Sequence, residues 1–130
     1  GELKILDAVE GITVLHMDKS FGFFNTLSEA EKVEAQETYA RLWDTVCEKA
    51  VSGEYDMLVV DEFMAAYHYG LIDHTKSLAF LEKKPKELEV VLTGRNPDEK
   101  LIGLANYVSE IRKIKHPFDR EIRARRGIEY

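Results

Sequence analysis

Ten residues constrain this chain more than any others. Glu54-Tyr-Asp-Met-Leu-Val-Val-Asp-Glu-Phe63 runs through four apolar positions and stops at two adjacent carboxylates. Met57, Leu58, Val59 and Val60 show no polar alternation, the pattern of a strand covered on both faces, and such strands belong to parallel sheets in α/β proteins. Ligands of open α/β sheets gather at the carboxyl ends of strands, where Asp61 and Glu62 fall. Carboxylates at that position suit Mg²⁺ beside phosphates, because a hard cation takes hard oxygen ligands. An acidic pair after a strand also has a purely structural use, capping the helix that follows.

With 130 residues, 45% of them hydrophobic, the chain is read as a single α/β domain over residues 1–130 with room for a core. Its one cysteine, Cys47, can form no internal disulfide and has no second thiol for a metal site, which points to a reduced, cytoplasmic setting. No run approaches the roughly 18 apolar residues of a membrane span, and no charged-then-apolar leader opens the chain, so no membrane partner is expected. The first residue is Gly1 rather than Met, the mark expected of a processed or shortened chain.

Charge is unevenly spread. Residues 1–111 carry 11 Lys/Arg against 21 Asp/Glu, whereas residues 112–130 carry 7 against 3, so a cationic C-terminal stretch follows an acidic body. Such a stretch suits phosphates or an acidic protein surface. The acidic remainder argues against extended nucleic-acid binding, since it would repel a phosphate backbone.

In chain order, residues 2–9 have a helical spacing of Leu3, Leu6 and Val9, and residues 12–15 are β-branched and apolar as in a strand. Ser20-Phe-Gly-Phe-Phe-Asn25 places three aromatics around a glycine in a strand-to-helix loop. Two uses are open to it: a plug on the domain's own core, or an apolar wall for a flat conjugated ligand. Ser28-Glu-Ala-Glu31 has the form of a capping box and opens a long helix. Its apolar stripe is Tyr39, Leu42, Trp43, Val46, Cys47 and Ala50, and Ser52-Gly53 stops it.

After the acidic pair, residues 63–69 read as a short helix ended by Gly70, and Asp73 caps another that carries Leu78 and Leu81 and closes before Pro85. Leu88-Glu-Val-Val-Leu92 is the next strand, and its turn, Thr93-Gly-Arg95, puts an arginine where a phosphate could sit or where any surface turn could hold one. Asn96-Pro97 reads as a helix start, with Leu101, Ile102, Leu104 and Ala105 as its buried side. Residues 107–114 are read as one more strand, giving three or four in all. His68 and His74, six apart without a nearby third ligand, do not make a zinc pattern, and neither they nor His116 receives a role. No glycine is followed by lysine, so the phosphate-cradling P-loop that such a sheet leads one to expect is absent from these residues.

Three segments, Val91-Leu-Thr-Gly-Arg95, Tyr107-Val-Ser-Glu-Ile-Arg-Lys-Ile-Lys-His-Pro-Phe-Asp119 and Ala124-Arg-Arg-Gly-Ile-Glu-Tyr130, closely resemble the C-terminal half of the ATP:corrinoid adenosyltransferases of the cobalamin pathway. Leu58-Val-Val-Asp-Glu62 resembles that family's Walker-B-like strand, Gly1-Glu2 its Gly-Glu pair, and Phe21-Gly-Phe23 its aromatic-x-aromatic loop, with Phe at a second position where Trp is common. The likeness covers nearly all of the chain.

The resemblance implies a RecA-like P-loop NTPase-type parallel sheet flanked by helices, incomplete because the N-terminal βαβ region is missing, so that residues 1–130 form the C-terminal part of a larger domain. It implies an enzyme, a homodimer in many members, that transfers the 5′-deoxyadenosyl group of ATP to the Co(I) of a corrinoid. By position, Glu62 would ligate Mg²⁺ with Asp61 beside it, and Arg95 would meet phosphate. Phe21 and Phe23 would pack on the lower face of the corrin. Two other readings stand beside this one: a non-catalytic corrinoid-binding or regulatory relative without an ATP site, and a different Walker-type ATPase, against which the C-terminal motifs argue.

Overall fold

Two short parallel strands form the frame on which the proposed site stands. Strand β1, Met57–Val60, pairs in register with β2, Glu89–Leu92, so that Val60 lies beside Leu92 at the carboxyl ends. This computed structural model describes residues 2–17 and 19–128, and its secondary elements are otherwise helical. Helix α1 spans Glu2–Leu6, α2 Glu29–Ala50, α3 Phe63–His68, α4 His74–Lys83 and α5 Glu99–Leu104. Gly1 of the Gly1-Glu2 pair and the closing residues Glu129 and Tyr130 lie outside the described residues.

The chain divides into two units, one of residues Leu15–Asn106 and one that joins Gly1–Val14 with Tyr107–Tyr130. The first holds the sheet and α2 to α5. Its core gathers Trp43 from α2, Phe63, Met64 and Tyr67 from α3, Ile72, and Leu101 from α5. Val60 and Leu92 pack against that cluster from the sheet. Trp43 supplies two ring contacts, tilted on Phe63 at 5.3 Å and edge-on to Phe80 at 5.6 Å.

Helix α2 starts as its sequence dictates. The Ser28 hydroxyl accepts from the Glu31 N–H while the Glu31 carboxylate takes the Ser28 N–H at 2.8 Å, closing the box in both directions. These bonds from Ser28, side chain first and backbone second, hold the Glu31 carboxyl below its ordinary range. The stripe of α2 turns Trp43 and Ala50 fully inward and leaves Tyr39, Val46 and Cys47 half-buried against the core. Burial pushes the Cys47 thiol up to about 12, Asp44 and Glu48 add in the same direction, and Lys76 opposes them.

Four expectations from the sequence are corrected. The strands are covered on one face only: Met57, Val59 and Val91 are 57%, 58% and 43% exposed, because the core helices all meet the face that carries Val60 and Leu92. Among the described residues there are two strands rather than three or four. Residues 12–15 and 107–114 have no neighbouring strand to complete a ladder, and Tyr107, Ile111 and Ile114 stand more than 90% exposed. Helix α5 is capped by Asp98, whose carboxylate accepts from the Lys100 N–H at 2.8 Å, and not by Asn96, which takes a left-handed turn at φ 52°. Its buried side narrows to Leu101, since Ile102 and Leu104 are exposed.

Candidate functional site

The carboxyl ends of β1 and β2 are tied together by one threonine. The Thr93 hydroxyl donates to Asp61 Oδ1 at 2.5 Å and accepts from the Glu62 N–H at 2.9 Å. The Thr93 N–H continues the ladder to the Val60 carbonyl, and the Thr93 carbonyl receives the Met64 N–H at 3.4 Å. Glu62 is thereby fixed in a left-handed backbone conformation, φ 53° and ψ 27°, rare for a residue with a side chain. It stands at the cap position of α3, yet its side chain makes no capping bond. The acidic pair is thus no ordinary helix cap: Asp61 turns across to the next strand, and the Glu62 carboxylate is not spent on the helix.

The next residue permits this closeness. Gly94 has φ 136°, and a Cβ placed on it would lie 2.6 Å from the Cβ of Met64, well inside contact distance. Only glycine lets the β2 turn settle on the start of α3. Beyond it, Arg95 and Asn96 swing back toward the helix and, with Glu62, Ala65, His68 and Tyr69, line an open concavity of about 280 Å³. Two sequence-nominated residues, Glu62 and Arg95, therefore meet in one place with opposite charges.

The aromatic loop packs in part on its own unit. Phe21 leans on Tyr39 of α2 at 6.5 Å, with the Lys19 ammonium 4.9 Å from its ring centre. Phe24 stacks on Tyr69 at 4.9 Å, which ties the loop to a residue that lines the Glu62 concavity. Phe23, between them, is 85% exposed. Anchors on either side and a bare ring in the middle are what a loop presenting an apolar face requires.

His68 and His74 do not converge. His68 lines the concavity, whereas the His74 ring lies flat on Tyr67 at 3.8 Å with Nε2 2.6 Å from the Tyr67 carbonyl. Burial, with Asp98 assisting, raises the pKa of Tyr67. In the C-terminal segment, His116 Nδ1 accepts from the Phe118 N–H and caps a short 3-10 turn, Pro117–Arg120. Among the described residues no three His, Cys, Asp or Glu side chains form a metal-binding group. No helix among them is long and apolar enough to cross a membrane.

Reading by sequence alone passed over Thr93, Phe24, Tyr69 and the pocket role of His68. A signal existed for the last two: Glu62, Ala65 and Tyr69 recur at intervals of three and four, and His68 follows Ala65 by three, which sets them along one side of a short helix. None existed for Thr93, whose role depends on the pairing of two strands 32 residues apart in register.

A family model described as ATP:corrinoid adenosyltransferase BtuR/CobO/CobP matches residues 1–130. A corrinoid adenosyltransferase of Sinorhizobium sp is 36% identical over 124 residues, covering 88% of this chain and 58% of that protein. The corrinoid adenosyltransferase of Escherichia coli K12 is 28% identical over 132 residues, covering 100% of this chain and 64% of its own length. Corrinoid adenosyltransferase CobA of Salmonella typhimurium is 38% identical over 77 residues, 58% of this chain and 38% of that protein. The chain thus spans about three fifths of the length of the first two. A strand tip bearing Asp61-Glu62, a Thr-Gly-Arg turn beside it and a full-length family match agree, and the chain belongs to the ATP:corrinoid adenosyltransferase family.

Proposed function

We propose that the protein to which these residues belong transfers the 5′-deoxyadenosyl group of ATP to the cobalt of a reduced corrinoid, with residues 1–130 forming the C-terminal part of a larger RecA-like P-loop domain. The observation that carries this reading is the meeting of Glu62 and Arg95, from the tips of neighbouring parallel strands, in one open concavity. In the reaction the lone pair of Co(I) attacks C5′ of the ribose, the Co–C bond forms, and the C5′–O bond breaks. Triphosphate leaves with the bonding pair, and cobalt is formally oxidised to Co(III). Since Co(I) is itself a strong nucleophile, the protein's work is alignment and neutralisation of the leaving group.

Mg²⁺ would supply charge neutralisation at the triphosphate oxygens. The residues present fit it: the hard carboxylate of Glu62 suits an ion that takes one or two protein oxygens and completes its shell from phosphate and water. Arg95, across the concavity, would hold a phosphate oxygen through its planar guanidinium. Phe21 and Phe23 would pack against the lower face of the corrin, displacing its axial ligand and easing reduction to Co(I). The exposed Phe23 ring supports that assignment, and the anchoring of Phe21 on Tyr39 gives the loop its footing. The same reading makes the protein cytoplasmic and compatible with a homodimer, with ATP and corrinoid as its partners and no nucleic acid.

The test is isothermal titration with MgATP and an adenosylation assay under Co(I)-generating conditions, on the 130 residues alone and on a chain extended at its N-terminus by a P-loop-bearing βαβ segment. The short chain lacks the backbone cradle and lysine that hold a triphosphate, so it should neither bind nor react. The extended chain should do both and lose activity on Glu62→Ala. Tight MgATP binding by the short chain, or full activity of the Glu62→Ala variant, would overturn the reading.

A further inference from the structure

We propose that Thr93 is the positioning residue of this site, and that it divides the two carboxylates of the strand tip into one that holds the frame, Asp61, and one that meets the cation, Glu62. The inference rests on the reading of Glu62 given above and adds a role for Thr93 that the strand motif by itself does not contain.

Three contacts converge on Thr93. Its hydroxyl has one proton to give, and it gives it to Asp61 Oδ1 at 2.5 Å. The lone pairs left on the same oxygen then face the Glu62 N–H at 2.9 Å. Its carbonyl takes the Met64 N–H at 3.4 Å. Two of the first amide groups of α3 are thus satisfied by a residue of the neighbouring strand and not by the helix's own cap side chain, which makes no such bond. A hydroxyl that donates is a better acceptor, so the bond to Asp61 strengthens the one from Glu62. The chain of Asp61 carboxylate, Thr93 hydroxyl and Glu62 amide is what keeps Glu62 left-handed and on the lining of the concavity shared with Arg95.

The arrangement makes distinct demands on each residue. Thr93 must carry a hydroxyl, and a methyl in its place leaves the Glu62 amide without its acceptor. Asp61 needs an acceptor oxygen but no charge, so an amide oxygen will serve. Glu62 needs its charge. If Asp61 were instead a direct ligand of the cation, neutralising it would be as harmful as neutralising Glu62.

The experiment compares Thr93→Val, Thr93→Ser, Asp61→Asn and Glu62→Gln. In the 130-residue chain, amide hydrogen exchange at Glu62 is followed by NMR. Thr93→Val should speed it roughly tenfold, whereas Thr93→Ser keeps it near the parent rate. In the P-loop-extended chain with ATP present, Mn²⁺ serves as probe through water-proton relaxation. Its affinity should fall between about 10- and 100-fold for Thr93→Val, as for other residues that orient a metal ligand, with Thr93→Ser restoring it. Asp61→Asn should stay within about threefold of the parent, and Glu62→Gln should abolish the bound signal. Unchanged exchange at Glu62 in a folded Thr93→Val chain would overturn the positioning role. Equal losses for Asp61→Asn and Glu62→Gln would overturn the division of labour. Failure of Glu62→Gln to alter Mn²⁺ binding would strike the underlying reading of the site and not the link from Thr93 to Glu62, which the exchange measurement reads by itself.

Discussion

Two loops of the same unit present the residues assigned to substrates, and they are held by different forces. At the strand tips, Asp61, Glu62 and Thr93 are joined by directional hydrogen bonds between neighbouring strands. In the loop of residues 20–25, Phe21 and Phe24 rest on Tyr39 and Tyr69 through ring contacts, with the Lys19 and Lys32 ammonium groups over their rings, and Phe23 is left bare. On the proposed reading, the difference matches the chemistry each is asked to do. A cation and a phosphate require oxygen and nitrogen atoms aimed within a narrow cone, whereas a flat apolar ring needs a surface in roughly the right place.

Each loop holds a glycine with positive φ, and the pair gives the sharpest way to break that comparison. Gly94→Ala should cost about 2–4 kcal/mol, because backbone strain adds to a collision with Met64. Gly22→Ala, at φ 69° with nothing within 4 Å of the new Cβ, should cost only about 1 kcal/mol. Urea unfolding followed by Trp43 fluorescence measures both. Equal losses would mean that the strand tips are no more tightly built than the loop.

Within the aromatic loop the next effect is smaller. Phe24→Ala removes the stack on Tyr69 and should destabilise by about 1–3 kcal/mol. Phe23→Ala should change stability by less than about 0.5 kcal/mol, since its ring is already in solvent. On the proposed reading Phe23→Ala instead weakens corrinoid binding, which titration with cob(II)alamin would detect. A large stability loss at Phe23 would make the whole loop a plug.

How much of this was legible beforehand depended on how local the cause was. Strand β1, the Ser28–Glu31 box, the stripe on α2 and the Asp73 cap all follow from residues within one turn or one strand of each other, and all are found. The Asn96 cap failed because Asn96 sits at φ 52°, outside the extended conformation a cap needs, whereas Asp98 has it and offers the same chemistry. Four apolar residues in a row suggested two covered faces, but Met57 and Val59 show that the run reports what a strand tolerates and not what packs on it. At the site, Glu62 and Arg95 could be nominated from strand ends. Which of Phe21, Phe23 and Phe24 anchors and which protrudes was set by Tyr39 and Tyr69, which no pattern within the loop contains.

The smallest effect concerns the helix start onto which the aromatic loop leads. Ser28→Ala should cost about 1 kcal/mol. Glu31 has a folded-state pKa below its ordinary 4.5, so its share of the box is present above that value and is lost as pH falls through the lowered one. The stability gap between the parent chain and Glu31→Gln should accordingly be open at neutral pH and close in acid, as urea midpoints across a pH series would show. A gap that widened in acid would contradict the box.

The left-handed backbone at Glu62 has a bearing on how such proteins respond to engineering. Holding a side-chain-bearing residue there costs about 1–2 kcal/mol, and asparagine accepts the conformation more readily than glutamate. Glu62→Asn should therefore raise the unfolding midpoint, by about 0.5–1 kcal/mol in free energy, while discarding the carboxylate assigned to the cation. On the proposed reading, a library sorted for heat resistance alone would drift away from cation binding at residue 62, and a campaign to harden the protein would do well to hold that residue fixed.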